Sequence, residues 1–337
     1  MKKEYFDDHF RDFHFVGCAV RSKDAIYLLS RKEYEVEEGH EHPGEIEIDK
    51  RFLNIFLDRP EETRYGSTDL TQFGVTNICA TLIPGPHAVA IDYKGHCYAR
   101  GKGFTGLESK IPYDEIKGPQ RGGMIKLKNI GGYVYAVGGQ RSVCRREGSN
   151  QWVSLWDESL PVPKVKKNVD FNDYGFEATD GFSPDDIYAA GGKGDVWHFD
   201  GKSWRQIPFP SNMDLFNVCC GSDGQVYIGA QSGHVFRGRG QKWEHICQGG
   251  ISLRYEDMVW FQDSVWCTND YGIWRIHNGK RSLVDLPAGI CSCAGYASAA
   301  DGIMVMAGMY GAAMHNGNEW VNLVDMPALY RQHGKKA

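Results

Sequence analysis

The second half of the chain repeats one pattern, in which short apolar runs alternate with turns that contain glycine. The aromatic or β-branched residue within one such run recurs every 39 residues, at Tyr188, Tyr227, Trp266 and Val305. A glycine just beyond the run keeps the same spacing, at Gly194, Gly233, Gly272 and Gly311. A constant period of this length predicts a series of equivalent supersecondary units.

The unit that spans 185–204 shows what each repeat contains. Residues 187–190 are apolar and predict a strand, glycines then let the chain reverse, and residues 196–199 predict the returning strand. Asp200-Gly201 follows, ahead of the strand that carries Trp204. Because a type I′ hairpin turn needs positive φ at both central positions, this pair predicts a tight turn.

A fourth strand precedes these three in each unit. In the same repeat it is 176–179, with Asp180-Gly181 as the predicted turn, and Asp223-Gly224 and Asp301-Gly302 mark that turn in later units. Four antiparallel strands with apolar residues on both faces are typical of a β-propeller blade, which buries its faces only against neighbouring blades. The predicted fold class is therefore all-β, as a single β-propeller.

The same pattern extends to the N-terminal half. Second strands are predicted around Tyr27, Tyr98, Tyr135, Tyr188, Tyr227, Trp266 and Val305. This predicts one domain over 1–337 with seven four-stranded blades, or six if the N-terminal unit is divided differently. Residues 1–72 are expected to form an irregular first blade with an extension, and 160–174 an insertion between blades. Either the C-terminal run 320–323 or the N-terminal run 13–16 completes the last blade.

The run Ile187-Tyr188-Ala189-Ala190-Gly191-Gly192, followed by Trp204 and Pro208, resembles a kelch repeat. It is also similar to bacterial propeller repeats in which Gly-Gly, Asp-Gly and Ser-Trp follow one another between short strands. The resemblance covers most of 120–325. The period departs from that of kelch repeats, which is about 50 residues, and the recurring Gly-His and Trp-Asp pairs of WD40 repeats are missing. Such families imply a propeller that often binds other molecules, but they do not fix a function.

Composition narrows the class of partner. The net charge is −5 and 42% of the residues are hydrophobic, which is enough for a sizeable core. No broad basic region is present to hold a phosphate backbone, so nucleic acid is not an expected partner. The N-terminal lysines precede no apolar segment, and no run of about 18 apolar residues occurs, so neither a secretory signal nor a membrane span is expected. The oligomeric state is left open.

The ten cysteines follow no CxxC pairs and no spacing typical of a disulfide framework. Several lie in apolar runs, where a free thiol behaves as a small hydrophobe. We expect reduced thiols in a cytoplasmic protein, without a cofactor. The alternative is a soft-metal or redox site beside the central channel, formed by thiols on predicted first strands: Cys79, Cys219, Cys220, Cys291 and Cys293.

The turns between second and third strands share one face of a propeller with the connections between blades, and we call this the loop face. Candidate partner-binding residues on it are Lys193, Gln231, Asp270, Tyr271, Tyr310, Tyr174, Arg254, Tyr255 and Glu256. Tyr271 and Tyr310 occupy equivalent positions in adjacent blades, which predicts neighbouring aromatic side chains. Aromatic and arginine side chains are enriched at protein interfaces. The alternative is that these tyrosines pack on their own blades.

Three other clusters carry possible chemistry. The insertion contains a basic cluster, formed by Lys164, Lys166 and Lys167. This cluster is either exposed to solvent or a binding site for an acidic partner. The segment 35–45 is rich in carboxylates and imidazoles, which form either an exposed loop or a divalent-metal site. Carboxylates expected at the channel mouth, where propeller glycosidases use such groups, are Glu256, Asp257, Asp214 and Glu177.

The sequence favours a non-enzymatic protein that binds another protein through its loop face. A bacterial toxin inhibitor or immunity protein is the narrower form of this interpretation, because the sequence predicts an acidic propeller that has no catalytic motif. The second interpretation is a carbohydrate-active enzyme, a glycosidase or lyase, that uses carboxylates at the channel mouth. The third is a module that binds a small molecule or a metal.

Overall fold

The structure is a computed structural model that describes residues 1–34, 41–163 and 175–334. Within these residues, the strands form seven separate sheets of four antiparallel strands, joined in chain order. The prediction of an all-β propeller with seven blades is therefore confirmed, and the alternative of six blades is wrong.

The first three blades occupy the N-terminal half. Blade 1 contains β1 (Phe13–Ser22), β2 (Ala25–Lys32), β3 (Lys50–Phe56) and β4 (Tyr65–Leu70). Blade 2 contains β5 (Thr76–Thr81), β6 (His87–Asp92), β7 (Cys97–Gly101) and β8 (Phe104–Glu108). Blade 3 contains β9 (Met124–Ile130), β10 (Tyr133–Gly138), β11 (Ser142–Gly148) and β12 (Gln151–Ser154).

The other four blades follow the 39-residue pattern. Blade 4 contains β13 (Phe176–Ser183), β14 (Asp186–Gly191), β15 (Asp195–Phe199) and β16 (Trp204–Ile207). Blade 5 contains β17 (Leu215–Cys220), β18 (Val226–Ala230), β19 (Val235–Arg239) and β20 (Lys242–Cys247). Blade 6 contains β21 (Asp257–Phe261), β22 (Ser264–Asn269), β23 (Gly272–His277) and β24 (Lys280–Leu283). Blade 7 contains β25 (Tyr296–Ala300), β26 (Ile303–Gly308), β27 (Gly311–His315) and β28 (Trp320–Asp325).

Short helices lie outside the blades in the described residues. They are α1 (Lys3–His9), α2 (Glu61–Arg64), α3 (Ala288–Cys291) and α4 (Met326–His333). Cys291 and Cys293 thus lie in and just after α3, not on a first strand as expected, because blade 7 begins only at Tyr296. Within the described ranges, no helix is both long and apolar enough to cross a membrane.

The first strand of each blade faces the centre of the ring. These strands contact one another in order from β1 to β25, and β25 returns to β1. They enclose a central channel with a cavity of about 410 Å³, lined by residues from all seven blades. The apolar core of the described chain divides into seven clusters, one at each junction between neighbouring blades. The blades are therefore held together by their packed faces, as the repeat predicts.

The ring closes without a shared strand. The C-terminal run 320–323 lies in β28 and completes blade 7, whereas the N-terminal run 13–16 lies in β1 of blade 1. Closure therefore depends on packing between these two blades and on the helices beside them. The apolar side chains at this junction include Phe6, Phe10, Val20, Val305, Met326 and Leu329.

Polar contacts hold α1 and α4 together at the closure. The Arg11 guanidinium lies over the Phe6 ring, 4.6 Å from its centroid, and its Nη1 donates to the Gly334 carbonyl at 2.6 Å. The Phe6 ring meets the Tyr330 ring edge-on, with centroids 5.2 Å apart. The Tyr330 hydroxyl in turn accepts the Asp12 backbone N–H at 2.9 Å. The two ends of the described chain therefore form one packed unit.

Two lysines of blade 3 form ion pairs in the channel. Lys126 and Lys128 are two residues apart on β9, so both side chains lie on the same face of the strand. Lys126 forms an ion pair with Asp257 of blade 6, and Lys128 lies 3.2 Å from Asp180 of blade 4. Although burial alone disfavours the charged amine, the Asp180 carboxylate raises the net pKa of Lys128 above its ordinary value.

The same two aspartates also bond to the next blade. Asp257 Oδ2 accepts the Ala297 N–H at 3.0 Å, and Asp180 Oδ2 accepts the Cys220 N–H at 3.0 Å. Asp257 thus joins blades 3, 6 and 7, and Asp180 joins blades 3, 4 and 5.

Three local predictions need correction. Asp180-Gly181 is not a turn, because β13 continues to Ser183 and pairs with β14 through both residues. Tyr98 lies on β7, the third strand of blade 2, because the small apolar run 87–92 forms the second strand. Asp200-Gly201 does form a turn, but only Gly201 has positive φ, at 87°. The Asp200 carboxylate instead accepts the N–H groups of Lys202 and Ser203, at 3.0 and 2.9 Å, and so shapes an Asx turn.

The cysteines are free thiols, as expected, and they are distributed over the blades rather than paired. All are buried except Cys220 and Cys291, which are intermediate. Burial raises the pKa of the Cys79 and Cys293 thiols to about 12 in each case, so these groups are protonated at neutral pH.

We predict that Trp204→Ala lowers the free energy of unfolding by about 3–5 kcal/mol, the usual cost of deleting a buried large aromatic side chain. The Trp204 ring is buried at the junction of blades 3 and 4, and its Nε1 donates to the Leu155 carbonyl at 2.9 Å. Urea denaturation measures the loss. Trp243→Ala is the control, because the Trp243 ring is only half-buried. A loss below about 1 kcal/mol in Trp204→Ala would contradict the assignment of Trp204 to an inter-blade core, because surface substitutions seldom cost more.

We predict that Asp257→Asn lowers the free energy of unfolding by about 2 kcal/mol, because it leaves the Lys126 amine in the channel without its counter-ion. The double variant Lys126→Met/Asp257→Leu should recover part of this loss, since both charges are then removed. Urea denaturation of the singles and the double gives the coupling energy. Strictly additive losses would show that the two side chains do not interact.

Candidate functional site

The loop face is built where second-to-third-strand turns abut the connections between blades. The Gly194 N–H donates to the Met213 carbonyl at 2.8 Å, and the Gln231 N–H donates to the Asp214 carbonyl at 3.1 Å. On blade 6, Asn269 Nδ2 donates to the Arg254 carbonyl at 3.2 Å. These bonds fix the turns on a rigid base, so the face presents side chains from a preorganised backbone.

Lys193 and Gln231 are exposed at equivalent turns of blades 4 and 5. Each turn is a single 3₁₀ turn, Gly192–Gly194 or Gln231–Gly233, whose middle residue has positive φ. The Lys193 N–H donates to Asp214 Oδ1 at 3.1 Å. Asp214 therefore organises both turns, because its backbone carbonyl also accepts from Gln231.

Asp270, Tyr271 and Tyr310 are exposed at the turns of blades 6 and 7. Tyr271 and Tyr310 hold the same position in their turns, as the repeat predicts, and their exposed fractions are 80% and 53%. Met309, the residue before Tyr310, is 55% exposed. Side chains this large and apolar gain free energy when a second surface covers them.

Arg254, Tyr255 and Glu256 follow one another in the connection before β21, but they face different ways. The Arg254 guanidinium lies over the Phe216 ring, 4.4 Å from its centroid, and 4.0 Å from Glu256. Tyr255 is only 1% exposed, and its hydroxyl accepts from Arg281 Nη1 at 3.2 Å. The Tyr255 side chain therefore belongs to the core between blades 5 and 6, not to the surface of the loop face.

Several residues singled out in the sequence lie outside the described residues. They are Tyr174, Lys164, Lys166 and Lys167, together with Glu35, Glu37, Glu38 and His40. Most of the predicted insertion 160–174 falls in the same category. In the segment 35–45, Glu45 is described, and it forms ion pairs with Arg31 and Lys50.

The channel mouth on this face carries partly buried carboxylates. Burial raises the pKa of both Glu177 and Glu256 above the ordinary value, and Arg254 opposes this shift in each case. Asp214 adds to the shift at Glu177, and Asp257 adds to that at Glu256. Arg254 therefore acts on both glutamates, whereas Asp214 acts on Glu177 and Asp257 acts on Glu256. Asp257 is already bound by Lys126 and Ala297.

Sequence reasoning missed a groove at the closure between blades 1 and 7, which we call the junction groove. It has a volume of about 530 Å³ and is lined by His14, Arg31, Glu33, Tyr34, Met309, Tyr310, Met326, Pro327 and Tyr330. Apart from Met309 and Tyr310 in the blade 7 turn, the lining residues come from β1, from the end of β2 and the segment after it, and from α4, all outside the repeated turns. The channel ion pairs were also missed, although Lys126 and Lys128 on a predicted first strand are a detectable signal.

In the part of the chain that the structure describes, no three His, Cys, Asp or Glu side chains converge as a metal site requires. Cys18, Cys79 and Cys220 line the channel, but the Cys219 side chain packs in the core between blades 5 and 6.

Comparisons with known proteins agree with the propeller fold. No protein-family profile matches the chain. "Immune protein Tsi7" of Pseudomonas aeruginosa is 29% identical over 248 residues, which are 73% of this chain and 79% of that protein.

Solved structures with the same fold include WD40 propellers. The WD40 repeats of RRP9 match with a TM-score of 0.59 at 12% identity, over 95% of this chain and 92% of that one. The WD40 propeller domain of Doa1 matches with a TM-score of 0.58 at 9% identity, over 89% and 90%. Saccharomyces cerevisiae Sqt1 matches with a TM-score of 0.57 at 8% identity, over 94% and 86%. At these identities the likeness shows the propeller fold alone.

We predict that Glu256→Gln raises the melting temperature at pH 7 but not at pH 4. Because burial raises the pKa of Glu256 above its ordinary 4.5, the folded state favours the neutral carboxyl. That stabilisation is complete below the ordinary pKa and is lost as the pH rises through the folded value, so a neutral amide helps only at the higher pH. Thermal unfolding at both pH values measures it. The exposed Glu319→Gln is the control, and an equal effect at both pH values would contradict the prediction.

Proposed function

We propose that this chain is an immunity protein, which binds a toxin protein through its loop face and blocks it without catalysing a reaction. The observation that carries this proposal is the 29% identity to an immune protein over 73% of the chain. Because the aligned segment is longer than six 39-residue units, the similarity extends over most of the ring and is not confined to one repeat.

The loop face supports the proposal through its exposed side chains. Tyr271, Met309 and Tyr310 are large, exposed and adjacent in the order of the blades, on turns held by backbone hydrogen bonds. Aromatic side chains of this kind are frequent anchors at interfaces, because they bury a large area at a small entropy cost. A rigid base also limits the ordering cost of binding.

We propose that the partner contacts the exposed candidates of this face: Lys193, Gln231, Arg254, Glu256, Asp270, Tyr271 and Tyr310. Tyr255 acts differently, because its buried ring supports the connection that presents Arg254 and Glu256. Tyr174 remains a predicted contact.

We further propose that the protein is bacterial and acts in the cytoplasm. The relative comes from a bacterium. The ten free cysteines, mostly buried, suit a reducing compartment, because secreted domains more often pair their thiols.

The test is affinity capture of the tagged chain from its native lysate, with mass spectrometry of the eluate. We expect one stoichiometric partner, which should inhibit growth when it is expressed alone and should not when this chain is co-expressed. The variant Tyr271→Ala/Tyr310→Ala should lose most of the partner, because truncating interface anchors commonly costs about 2 kcal/mol each.

The matched control is Leu107→Ala/Leu283→Ala, which removes two apolar side chains of similar exposure from outer strands. This control should retain the partner. The proposal fails if no partner is captured, or if the captured protein does not inhibit growth. Turnover of a sugar substrate that is lost in Glu177→Gln/Glu256→Gln would instead establish the enzyme interpretation.

A further inference from the structure

We propose that the junction groove binds an apolar side chain of the partner protein that is flanked by a lysine or arginine. This deepens the proposed function, and it rests on that function for the identity of the partner as a protein. The groove lies between blades 1 and 7, where the turn that carries Tyr310 meets the last helix.

The wall of the groove is apolar and exposed. Tyr34, Met309 and Tyr310 are 39%, 55% and 53% exposed, and they lie around one concave surface with Tyr330. Apolar side chains that surround a concavity can enclose a side chain on several sides, whereas an exposed side chain on a flat surface meets only one. Methionine adds flexibility, because its unbranched side chain adapts to the shape of what binds.

The floor of the groove is preformed. The Met326 N–H donates to the Tyr310 carbonyl at 3.1 Å, which joins the blade 7 turn to the start of α4. Tyr330 is held from both ends, by its hydroxyl bond to Asp12 and by the edge of the Phe6 ring. A groove that needs little rearrangement loses little binding free energy to ordering.

The charges around the groove identify the neighbour of the apolar side chain. Arg31, the only cation that lines the groove in the described chain, is already paired with Glu45, with Nη2 to Oε1 at 2.6 Å and Nε to Oε1 at 3.1 Å. Glu33 lines the groove and has no ion-pair partner among the described residues.

A second unpaired acid lies close by. Asp270, on the adjacent turn of blade 6, also has no ion-pair partner in the described part of the chain, and its carboxylate partly opposes the lowering of the His14 pKa that burial causes. Glu45 also pairs with Lys50, but the acids Glu33, Glu45 and Asp270 outnumber the cations Arg31 and Lys50. The net charge beside the apolar wall is therefore negative, which favours a cationic neighbour and repels an acidic one.

The first test uses two labelled peptides, one alternating leucine and arginine and the other alternating leucine and glutamate. We expect the basic peptide to bind in a fluorescence-anisotropy titration at concentrations up to about 1 mM, the weak end of specific binding, and the acidic peptide not to bind. Tyr34→Ala/Met309→Ala should weaken the basic peptide by about tenfold or more, as for loss of an interface anchor. Leu107→Ala/Leu283→Ala is the matched apolar control.

The second test separates charge from shape. Glu33→Gln/Asp270→Asn should weaken the basic peptide by about threefold to tenfold at low salt, and the difference should shrink at high salt as the charges are screened. Glu319→Gln/Asp263→Asn is the matched control, because both acids are exposed on the opposite face. Circular dichroism confirms that every variant is folded.

Equal binding of the two peptides, no binding of either, or unchanged affinity in the groove variants would overturn this inference. So would a self-associated chain whose dimer dissociates in Tyr34→Ala/Met309→Ala, because a second copy would then be the occupant. These outcomes are independent of the capture experiment. A captured toxin that needs Tyr271 but binds Tyr34→Ala/Met309→Ala normally would leave the proposed function intact and remove only the groove.

Discussion

Everything else in this molecule depends on the closure between the first and last blades, because a ring of stacked sheets is stable only when its two end faces cover each other. Blades 1 and 7 do not share a strand at the closure, because each blade has four strands of its own. The closure is made by side chains alone: the apolar cluster around Phe6 and Leu329, and the bonds from Arg11 and Tyr330. The helix α4, which helps to close the ring, also lines the junction groove, so the closure is both structural and exposed to a partner.

The channel provides a second set of constraints, which act both across the ring and between neighbouring blades. Lys126 and Lys128 on one strand reach Asp257 and Asp180, and each aspartate also holds a backbone N–H of the following blade. Ion pairs in a partly buried site add little net stability compared with apolar packing, but they fix which groups face each other. Here they set the relative positions of blades 3 to 7, which carry most of the exposed candidate residues of the loop face.

The sequence predicted what repeats and failed where the repeat is broken. Tyr188, Tyr227, Trp266 and Val305 located four blades, because the buried second strand imposes the same apolar pattern on each. The prediction that Tyr98 lies on a second strand was wrong, because blade 2 buries alanine and valine in its second strand and carries this tyrosine on the third. Tyr255 was expected at the surface, but position in a loop does not determine the direction of a side chain. The junction groove combines residues from both ends of the chain, and a local pattern carries no information about that contact.

The distribution of the cysteines makes the opening of individual blade junctions measurable. Cys144, Cys267 and Cys293 are fully buried between neighbouring blades and do not line the channel, so a thiol reagent reaches them only when a junction separates. The rate at which each thiol becomes labelled therefore reports how often its junction opens. Because Cys144 lies between blades 2 and 3, Cys267 between blades 5 and 6 and Cys293 between blades 6 and 7, comparing their labelling rates would show whether the ring opens first at one junction or at several at once.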